Sequence, residues 1–263
     1  MHKIKNYCLV DSLDQAYELK KKGRNHVIVG GNLWLKMGNR PIQTAIDLSA
    51  LGLNQIEETE EEYRIGCMVT LRDLEVHESL NNSFHDLFRE AVRHIVGVQF
   101  RNCATVGGSI YPRFGFSDVL TAFLACESRV CLYQAGEVPL DQFLDMPYDN
   151  DILTHMIVKK EEMEAVYDSF RMTETDFPVL TCAVSRRRGR YRTVIGARPK
   201  AARAIDGLVL NDPRDETDIG RFASEAADQF DYGSNMRGSA GYRRDLAEIL
   251  IRRCLHTLGG RKD

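Results

Sequence analysis

Two glycine pairs stand out in the sequence as residues that could hold an anion. Gly30 and Gly31 follow the apolar stretch "HVIV", and Gly107 and Gly108 follow the short apolar step that ends "RNCATV". Glycine accepts positive φ angles and lets the backbone approach a ligand closely. Exposed N–H groups in such turns form concave sites that attract anions. Two such turns, brought together from distant parts of the chain, would clamp a pyrophosphate from both sides.

Hydroxyl and carboxylate side chains lie close to the second pair. Thr105 and Ser109 can add donors, and Asp118 can accept hydrogen bonds from ribose hydroxyls, as acidic residues do in other nucleotide sites. Neither pair fits the G-x-G-x-x-G or the P-loop pattern. Ligand-free tight turns are the alternative for each pair, and Asp118 alone could instead cap the helix predicted at "DVLTAFLA". The spacing alone leaves both interpretations open, on a protein that reads as α+β.

The composition is that of an ordinary globular protein. The chain has 263 residues, of which 43% are hydrophobic and 28% charged, with a net charge of −3. This length suits one large domain or two smaller ones. The slight acidity gives no reason to expect nucleic acid as a partner. The N-terminal segment lacks the apolar core of a signal peptide, and no stretch approaches the ~18 apolar residues of a membrane span.

Cysteines and histidines show no metal-binding pattern. The seven cysteines are scattered, odd in number and free of any C-x-x-C pair, which indicates neither a zinc site nor a locally ligated iron–sulfur cluster. Mostly buried, reduced thiols in a cytoplasmic protein are the expectation. The seven histidines, among them His2, lack ligand spacing, so we predict no metal site.

Helix and strand patterns alternate in the first half of the chain. "SLDQAYELKKKG" predicts a helix with a capping box formed by Ser12 and Gln15 and an end at Gly23. Strands are predicted at "HVIVGG", "AIDLSALGL" and "YRIGCMVT". Thr70 can cap the next helix, with Asp73 at the third position. Of these strands, "HVIVGG" runs directly into the first glycine pair.

A longer helix is predicted at "FHDLFREAVRHIVG", ending at Gly97, and "DVLTAFLACESRVCLY" begins as a helix and turns into a strand. The apolar face of the longer helix consists of Leu87, Phe88, Ala91, Val92 and Ile95. A domain boundary is predicted near residue 165, in the charged stretch "VKKEEMEAVYD".

The second half predicts a hairpin at "VLTCAVSRRRGRYRTVIGA", with Gly189 at the turn. Helical pieces are predicted at "ARAIDGLVLN" and "TDIGRFASEAADQF". The terminal helix is capped by Ser239, and its apolar face comprises Tyr242, Leu246, Ile249, Leu250 and Cys254. The arginine-rich hairpin segment Ser185–Arg192 is either a solvated tip, which the overall acidity favours, or a nucleic-acid patch.

In this order, the segments resemble the FAD-binding subunit of the molybdenum hydroxylases, the xanthine dehydrogenase and carbon monoxide dehydrogenase flavoprotein family. "VIVGGNLWLKM" is similar to the family's first flavin loop, and "RNCATVGGSI" to the second, Arg-Asn-x-x-Thr-Ile-Gly-Gly-Asn. "RIGCMVTLRDLE", "FSDVL", "SFRMTETDFPVLTCAV" and "RGSAGYRRDLAEILIRRCL" resemble further family segments. The resemblance covers nearly the whole chain. Two departures are Asn32-Leu33-Trp34, where relatives carry an acid and a leucine, and the bulkier "IYPRFGFSD", whose Arg113 could face phosphate, a partner or solvent.

The resemblance implies an α+β fold. A two-subdomain FAD-binding domain of the PCMH type would occupy residues 1–165, with subdomains of about 1–55 and 56–165. A smaller C-terminal α+β domain, with helices on an antiparallel sheet, would occupy residues 166–263. FAD would lie between the subdomains, with its pyrophosphate on the two glycine loops.

The resemblance also implies a set of cofactor contacts. Asp118 would lie near the ribose, and Ile95, Ile152 and Leu153 near the flavin or adenine rings. Phe177 would lie in a segment that covers the isoalloxazine. The implied cofactor-binding residues are Val29, Gly30, Gly31, Asn32, Leu33, Ile95, Thr105, Gly107, Gly108, Ser109, Asp118, Ile152, Leu153 and Phe177. Because the cofactor carries the redox chemistry, no catalytic acid or base is expected in this chain.

By the same resemblance, the chain is the electron-transfer subunit of a heteromeric cytoplasmic dehydrogenase. A partner large subunit would carry molybdopterin and oxidise the substrate, and a partner small subunit would carry two [2Fe–2S] clusters. Non-covalently bound FAD would pass the electrons to NAD⁺. The alternatives are a stand-alone FAD-binding protein and a MurB-type flavin reductase. The substrate is chosen in another chain, so this sequence does not reveal it.

Overall fold

The computed structural model describes residues 3–260 and contains three β-sheets with helices packed on them. The α+β fold class predicted from the sequence is therefore confirmed. The ends of the two predicted domains, residues 1–2 and 261–263, lie outside the described residues, and so does His2. The sheets follow one another along the chain, in residues 4–47, 56–159 and 164–206.

The first sheet is parallel, and one of its strands ends directly before the first glycine pair. Its strand order is β1-β3-β2, with α1 between β1 and β2. The bounds are β1 Ile4–Leu9, α1 Leu13–Lys21, β2 His26–Val29 and β3 Ile42–Asp47. The predicted cap of α1 is confirmed, since Ser12 Oγ accepts from the Gln15 amide at 3.2 Å and Gln15 Oε1 accepts from the Asp11 amide at 2.8 Å. The helix therefore begins where the sequence predicts and returns the chain to β2.

The second sheet is antiparallel, with the order β4-β5-β8-β6-β7. Its strands are β4 Ile56–Glu58, β5 Glu62–Gly66, β6 Arg129–Leu132, β7 Gly136–Pro139 and β8 Leu153–Lys159. Short helices fill the excursion between β5 and β6: α2 Leu71–Val76, α3 Glu78–Ser83, α4 Leu87–Val92, α5 Val98–Arg101, α6 Val106–Ile110 and α7 Asp118–Ala125; α8 Leu140–Asp145 follows β7. The predicted capping box of Thr70 and Asp73 is present at α2. The second glycine pair lies within α6.

The single long helix predicted up to Gly97 is wrong. The chain forms α4, which ends at Val92, and Gly97 stands at the start of α5 rather than at a helix end. Asp86 and Val96 have φ angles of 63° and 51°, outside the right-handed helical region. These two residues break the apolar periodicity into separate helical turns, which periodicity alone does not reveal.

The third sheet is antiparallel, with the order β12-β11-β10-β9. Its elements are β9 Glu164–Arg171, β10 Pro178–Arg187, β11 Arg190–Gly196 and β12 Arg203–Asp206, followed by α9 Glu216–Asp228 and α10 Ala240–Gly260. The predicted β10–β11 hairpin is confirmed, and its turn residues Arg188 and Gly189 both have positive φ. The helix predicted at "ARAIDGLVLN" is wrong, because residues 203–206 pair with β11. Pairing with the preceding strand overrides local helical propensity.

The terminal helix α10 is present and is capped by Ser239, whose Oγ accepts from the Tyr242 amide at 3.1 Å. Its buried stripe includes Leu246, Leu250 and Cys254, as predicted, but Tyr242 and Ile249 are 44% and 48% exposed. The stripe instead continues through further apolar residues on the side that packs on α9 and β10, namely Ala247, Ile251, Leu255 and Leu258.

Three of the five arginines in the hairpin segment Ser185–Arg192 pair with carboxylates. Arg186 lies 2.6 Å from Glu164, Arg187 lies 2.7 Å from Glu161, and Arg192 pairs with Glu127 at 2.9 Å. Such pairing reduces the positive field that a nucleic-acid surface needs. The geometry favours the interpretation of this segment as a hairpin tip.

Candidate functional site

The two glycine pairs, far apart in sequence, lie against each other in the structure. A Cβ atom on Gly31 would stand 1.8 Å from the carbonyl oxygen of Cys103, and one on Gly30 would stand 2.6 Å from Thr105 Oγ1. Real Cβ atoms do not approach other atoms so closely, so a side chain at residue 31 would displace backbone atoms, and one at residue 30 would displace the side chain of Thr105. The first pair therefore lets the loop after β2 touch the segment that leads into α6.

The reason for glycine at these positions differs from the sequence-based expectation. Positive φ angles occur at five other glycines among the described residues, but not at Gly30, Gly31, Gly107 or Gly108. In α6, a Cβ on Gly107 would meet Cys67 at 2.8 Å. The expectation that these glycines serve a left-handed turn is wrong. They serve close approach between backbone segments instead.

The two loops do not offer equal numbers of hydrogen-bond donors. In the second loop, the Gly107 amide donates to Cys67 O at 2.8 Å and the Gly108 amide to Thr105 Oγ1 at 3.2 Å, while the Ser109 amide donates to Thr105 O. These groups are satisfied within the protein.

In the first loop, by contrast, the amides of Gly30, Gly31, Asn32 and Leu33 donate to no other residue within 3–260. Asn32 has a φ of 59°, and a left-handed residue in a run of free amides is the arrangement of an anion-binding nest. The donors available to an anion therefore lie mainly in the first loop.

A cavity of about 340 Å³ opens between the loops. We refer to it as the glycine-loop cavity. Of the residues predicted to bind the cofactor, it is lined by Gly30, Gly31, Asn32, Leu33, Thr105, Gly107, Gly108, Ser109 and Leu153. The structure thus brings together most of the residues that the sequence singled out.

Two side chains that sequence reasoning missed also line this cavity. Lys20, in the last turn of α1, contributes an ammonium group. Its pKa is lowered mainly by burial and, to a smaller extent, by the positive charge of the nearby Arg40. Tyr111 lies at the end of α6, and burial raises its pKa to about 12. Its hydroxyl therefore stays protonated and donates to Asp151 O at 3.0 Å. A lysine in an amphipathic helix gives no sequence signal, because only the α1–β2 packing places it at the cavity.

A second cavity of about 290 Å³ adjoins the first. We refer to it as the aromatic cavity, since Trp34, Phe114, Phe116 and Phe177 form part of its wall. It is also lined by the predicted residues Ile95, Asp118 and Phe177. The cofactor contacts predicted for distant parts of the chain therefore divide between two neighbouring cavities.

Asp118 is bound by side chains of β9. Its carboxylate is buried and accepts hydrogen bonds from the Tyr167 hydroxyl and the Arg171 guanidinium. The residue that caps α7 is Ser117, not Asp118, which is the first residue of that helix. The capping alternative for Asp118 is thus wrong. Its carboxylate joins the second domain's sheet to α7 at the wall of the aromatic cavity.

Val29 and Ile152 line neither cavity. Val29 is 3% exposed and packs against Ile42 and Ala45 in the first sheet, and Ile152 is 1% exposed in the main core. Side chains so deeply buried shape the walls from behind. The structure therefore brings neither of these two side chains to the cavities, and their contacts with the cofactor stay predictions.

Arg113 and Arg101 have structural environments that the sequence left open. Arg113 is half-buried, and its guanidinium lies over the rings of Phe143 and Tyr148, at 4.2 and 4.4 Å from their centroids, and donates to a backbone carbonyl. Arg101, in the "RNCATVGG" motif, is buried and binds both carboxylate oxygens of Glu75, at 2.7 and 3.1 Å. It therefore anchors the segment ahead of the second glycine loop.

No cluster of three or more His, Cys, Asp or Glu side chains suited to a metal ion occurs in the described part of the chain. All seven cysteines are free, four of them buried and Cys103 exposed. Cys182 and Cys254 lie 4.0 Å apart in the second core without forming a disulfide. Among residues 3–260, none of the helices combines the length and apolar character needed to cross a membrane.

Comparison with known families decides the assignment. Residues 2–161 match the family described as the FAD binding domain in molybdopterin dehydrogenase, and residues 165–258 match the CO dehydrogenase flavoprotein C-terminal domain. The chain belongs to the FAD-binding family of the molybdopterin dehydrogenases. This flavoprotein is thus a component of a molybdenum hydroxylase-type oxidoreductase, as the resemblance implied. The C-terminal match disfavours the MurB-type alternative.

Alignments with relatives cover most of this flavoprotein. It is 28% identical over 281 residues to the nicotine 6-hydroxylase medium subunit of Paenarthrobacter nicotinovorans, with 97% of each chain covered. It is 25% identical over 257 residues to the uncharacterized protein YgfM of Escherichia coli K12, with 94% of each covered. The similarity extends through both matched domains.

Solved structures show the same fold. A chain of the Cu,Mo-CO dehydrogenase superposes with a TM-score of 0.87 at 18% identity, with all of both chains covered. Quinoline 2-oxidoreductase from Pseudomonas putida 86 gives a TM-score of 0.84 at 16% identity, covering 97% and 96% of the two chains.

Proposed function

We propose that this flavoprotein binds one FAD non-covalently across the two cavities and acts as the electron-transfer subunit of a heteromeric dehydrogenase. The run of unpaired amides at Gly30, Gly31, Asn32 and Leu33 carries the proposal. A pyrophosphate supplies the acceptors that these donors lack, and the ammonium group of Lys20 lines the same cavity. Amides, a cation and apolar walls together suit a phosphate-bearing aromatic cofactor.

The residues proposed to hold the cofactor divide by chemistry. The first-loop amides and Lys20 would bind the pyrophosphate, and the Thr105 and Ser109 hydroxyls stand beside them in the cavity wall. Apolar side chains, Leu153 in one cavity and Ile95 in the other, would cover ring surfaces. Asp118 would accept a ribose hydroxyl through Oδ2, because the bonds from Tyr167 and Arg171 both go to its Oδ1. When bound, FAD would supply the redox chemistry, and this chain would position it.

The proposal includes partners. Relatives carry names such as medium subunit, medium chain and complex subunit alpha, which describe components of multi-subunit enzymes acting on different substrates. We propose a molybdopterin-binding large subunit and an iron–sulfur small subunit as partners here. The substrate would then be selected by the large subunit. The cytoplasmic location predicted from the free thiols stays a prediction.

We further propose NAD⁺ as the final electron acceptor, as in a xanthine dehydrogenase. Support for this part comes from the sequence resemblance alone. Two electrons and one proton would pass to NAD⁺, which yields NADH and regenerates the oxidised cofactor. If the assembled enzyme reduced only an artificial dye or a quinone, NAD⁺ would be excluded as the acceptor. The proposed FAD site would be unaffected by that result.

FAD titration of the purified protein tests the cofactor site, with Lys20→Met as the informative variant. A hydrogen bond to a charged group contributes about 1.5–3 kcal/mol, so we expect FAD affinity to fall about 10-fold or more. The matched control is Lys21→Met, because Lys21 pairs with Glu18 at 2.7 Å and does not line the cavity. Wild-type protein that is colourless and takes up no added FAD would refute the proposal. Equal affinity in both variants would remove Lys20 from it.

A further inference from the structure

Strand β1 is an open edge of the first sheet. In the order β1-β3-β2, it pairs with β3 alone among the strands of the described structure. One side of its backbone therefore has no strand partner within residues 3–260. An exposed edge of this kind is a template for a further strand from another chain, and monomeric proteins usually block it.

The apolar side chains of β1 are uncovered. Ile4, Tyr7 and Leu9 are 49%, 63% and 48% exposed. Helix α1 packs on β2 and β3, and the apolar cluster on the other face of the sheet is built from the same two strands and Leu35. Parallel sheets are usually covered on both faces, so three large apolar side chains on one open edge indicate a surface that another chain covers.

Lysines accompany these apolar side chains. Because side chains alternate between the two faces of a strand, Lys5 shares a face with Tyr7 and Leu9, and Lys3 continues the row directly before the strand. Both lysines are exposed and form no ion pair with any residue of the described range. Residues 1–55 contain eight lysines and arginines but only four aspartates and glutamates, whereas the whole chain has a net charge of −3. The edge therefore offers a positive charge to an acidic partner.

We propose that β1 is the docking edge for the molybdopterin-binding large subunit, which adds an extended segment to this sheet as a further strand. The inference rests on the proposed heteromeric assembly. Residues that lie opposite each other on neighbouring strands contact one another. The row from Lys3 to Leu9 therefore fits a segment in which two carboxylates and two apolar side chains occupy alternate positions. Tyr7 is preorganised for this contact, since its hydroxyl donates to Asp47 at 2.6 Å.

The large subunit fits this edge better than the iron–sulfur subunit does. The iron–sulfur subunit has to deliver electrons to the cofactor, so it must lie at the cavities that begin with the glycine loop after β2. Strand β1 is the strand farthest from β2 in the sheet, with β3 between them. A chain bound along the outer side of β1 thus lies on the side of the sheet that faces away from the glycine loop.

Carbodiimide cross-linking tests the contact, because this reagent joins a lysine amine to a carboxylate only where the two groups meet. The three subunits would be expressed together, with an affinity tag at the C-terminus of the flavoprotein so that β1 stays accessible. In the wild-type complex we expect Lys3 or Lys5 to be joined to an aspartate or glutamate of the large subunit.

A pair of charge-reversal variants tests the energetic role of the edge. In Lys3→Glu/Lys5→Glu, like charges would face each other across the contact, so we expect the recovery of large subunit with the tagged chain to fall about 10-fold or more. The matched control is Lys22→Glu/Arg24→Glu, which changes the net charge equally at exposed residues between α1 and β2. It should retain wild-type recovery. Flavin absorbance should show the same FAD content in both variants.

Each outcome decides the inference. Cross-links from Lys3 or Lys5 to the large subunit, with recovery lost only in the edge variant, support it. Cross-links from these lysines to the iron–sulfur subunit or to a second copy of the flavoprotein overturn it, as does the absence of any cross-link from them. Equal recovery in the two double variants also overturns it and leaves the proposed function intact. A wild-type flavoprotein that recovers neither partner subunit overturns the proposed assembly together with the docking edge.

Discussion

The contact between the two glycine loops can be tested by Gly31→Ala. A Cβ atom at residue 31 would lie 1.8 Å from the carbonyl oxygen of Cys103 and 2.4 Å from its carbonyl carbon. Both are backbone atoms, which no change of rotamer can move aside. Before the separation from the oxygen reaches 3.0 Å, the loops must part by roughly 1.2 Å, the difference between 3.0 and 1.8 Å. The substitution therefore forces a displacement within the wall of the glycine-loop cavity.

The size of the effect follows from the cost of overpacking. Inserting one carbon into a tightly packed site typically costs about 1–3 kcal/mol. The first-loop amides and Thr105 lie on opposite sides of the displaced contact, so FAD cannot engage both without closing the loops again. If binding has to supply this energy, FAD affinity falls about 5- to 150-fold, since about 1.4 kcal/mol corresponds to a factor of ten.

The assay is FAD titration of the apoprotein, with far-UV circular dichroism to verify folding. Gly220→Ala is the control, because a Cβ at that position within α9 meets nothing within 4 Å. Alanine there is expected to raise the free energy of unfolding by about 0.5–1 kcal/mol and leave FAD affinity unchanged. Wild-type FAD affinity in a folded Gly31→Ala protein would refute the reasoning, because the loops would then be free to part without consequence.

Two further predictions concern pH and electron transfer. The pKa of Asp218 is lowered to about 2, first by the amide of Asp212 and then by Arg221. The stabilisation from this carboxylate is complete above its usual pKa of 3.8 and is lost as the pH falls through about 2. The difference in melting temperature between wild type and Asp218→Asn should shrink over that range; a constant difference would contradict the assignment. For the acceptor, anaerobic NADH should bleach the flavin absorbance of the FAD-loaded protein, and a spectrum unchanged by NADH, in the subunit and in the assembled complex alike, would remove NAD⁺.

Local features of the fold were predictable where neighbouring residues decide the structure. The caps at Ser12, Thr70 and Ser239 form as predicted, because each needs only a side chain and an amide about three residues away. The Gly189 turn is equally local. The strand at 203–206 was missed because it is stabilised by backbone pairing with the preceding strand, β11, which a helical-looking side-chain pattern does not reveal. The helix predicted to end at Gly97 ends at Val92 instead, and Val96 has a φ of 51°, a backbone angle that β-branched residues disfavour.

The candidate site was predictable in part. The glycine pairs and Thr105 carry a recognisable spacing, and the structure places them at one cavity. Lys20 and Tyr111 escaped notice because helix packing, not spacing, brings them there. Ile152 is the opposite case. Its position in the sequence suggests a contact with the cofactor, but its side chain lies in the core and is 1% exposed.

By itself, the sequence determined the family, the α+β class and the pairing of two glycine loops, because these depend on residue types that only particular backbone arrangements tolerate. The tertiary structure alone decided what the glycines are for. A Cβ at residue 31 is excluded by the carbonyl of Cys103, an atom 72 positions away, and no local pattern records that contact. It also decided which loop has donors to spare, since the amides of α6 are satisfied by Thr105 and by the turn that follows β5, whereas those after β2 are not satisfied. Whether a hydrogen-bond donor is free depends on everything packed around it, and that is a property of the folded chain.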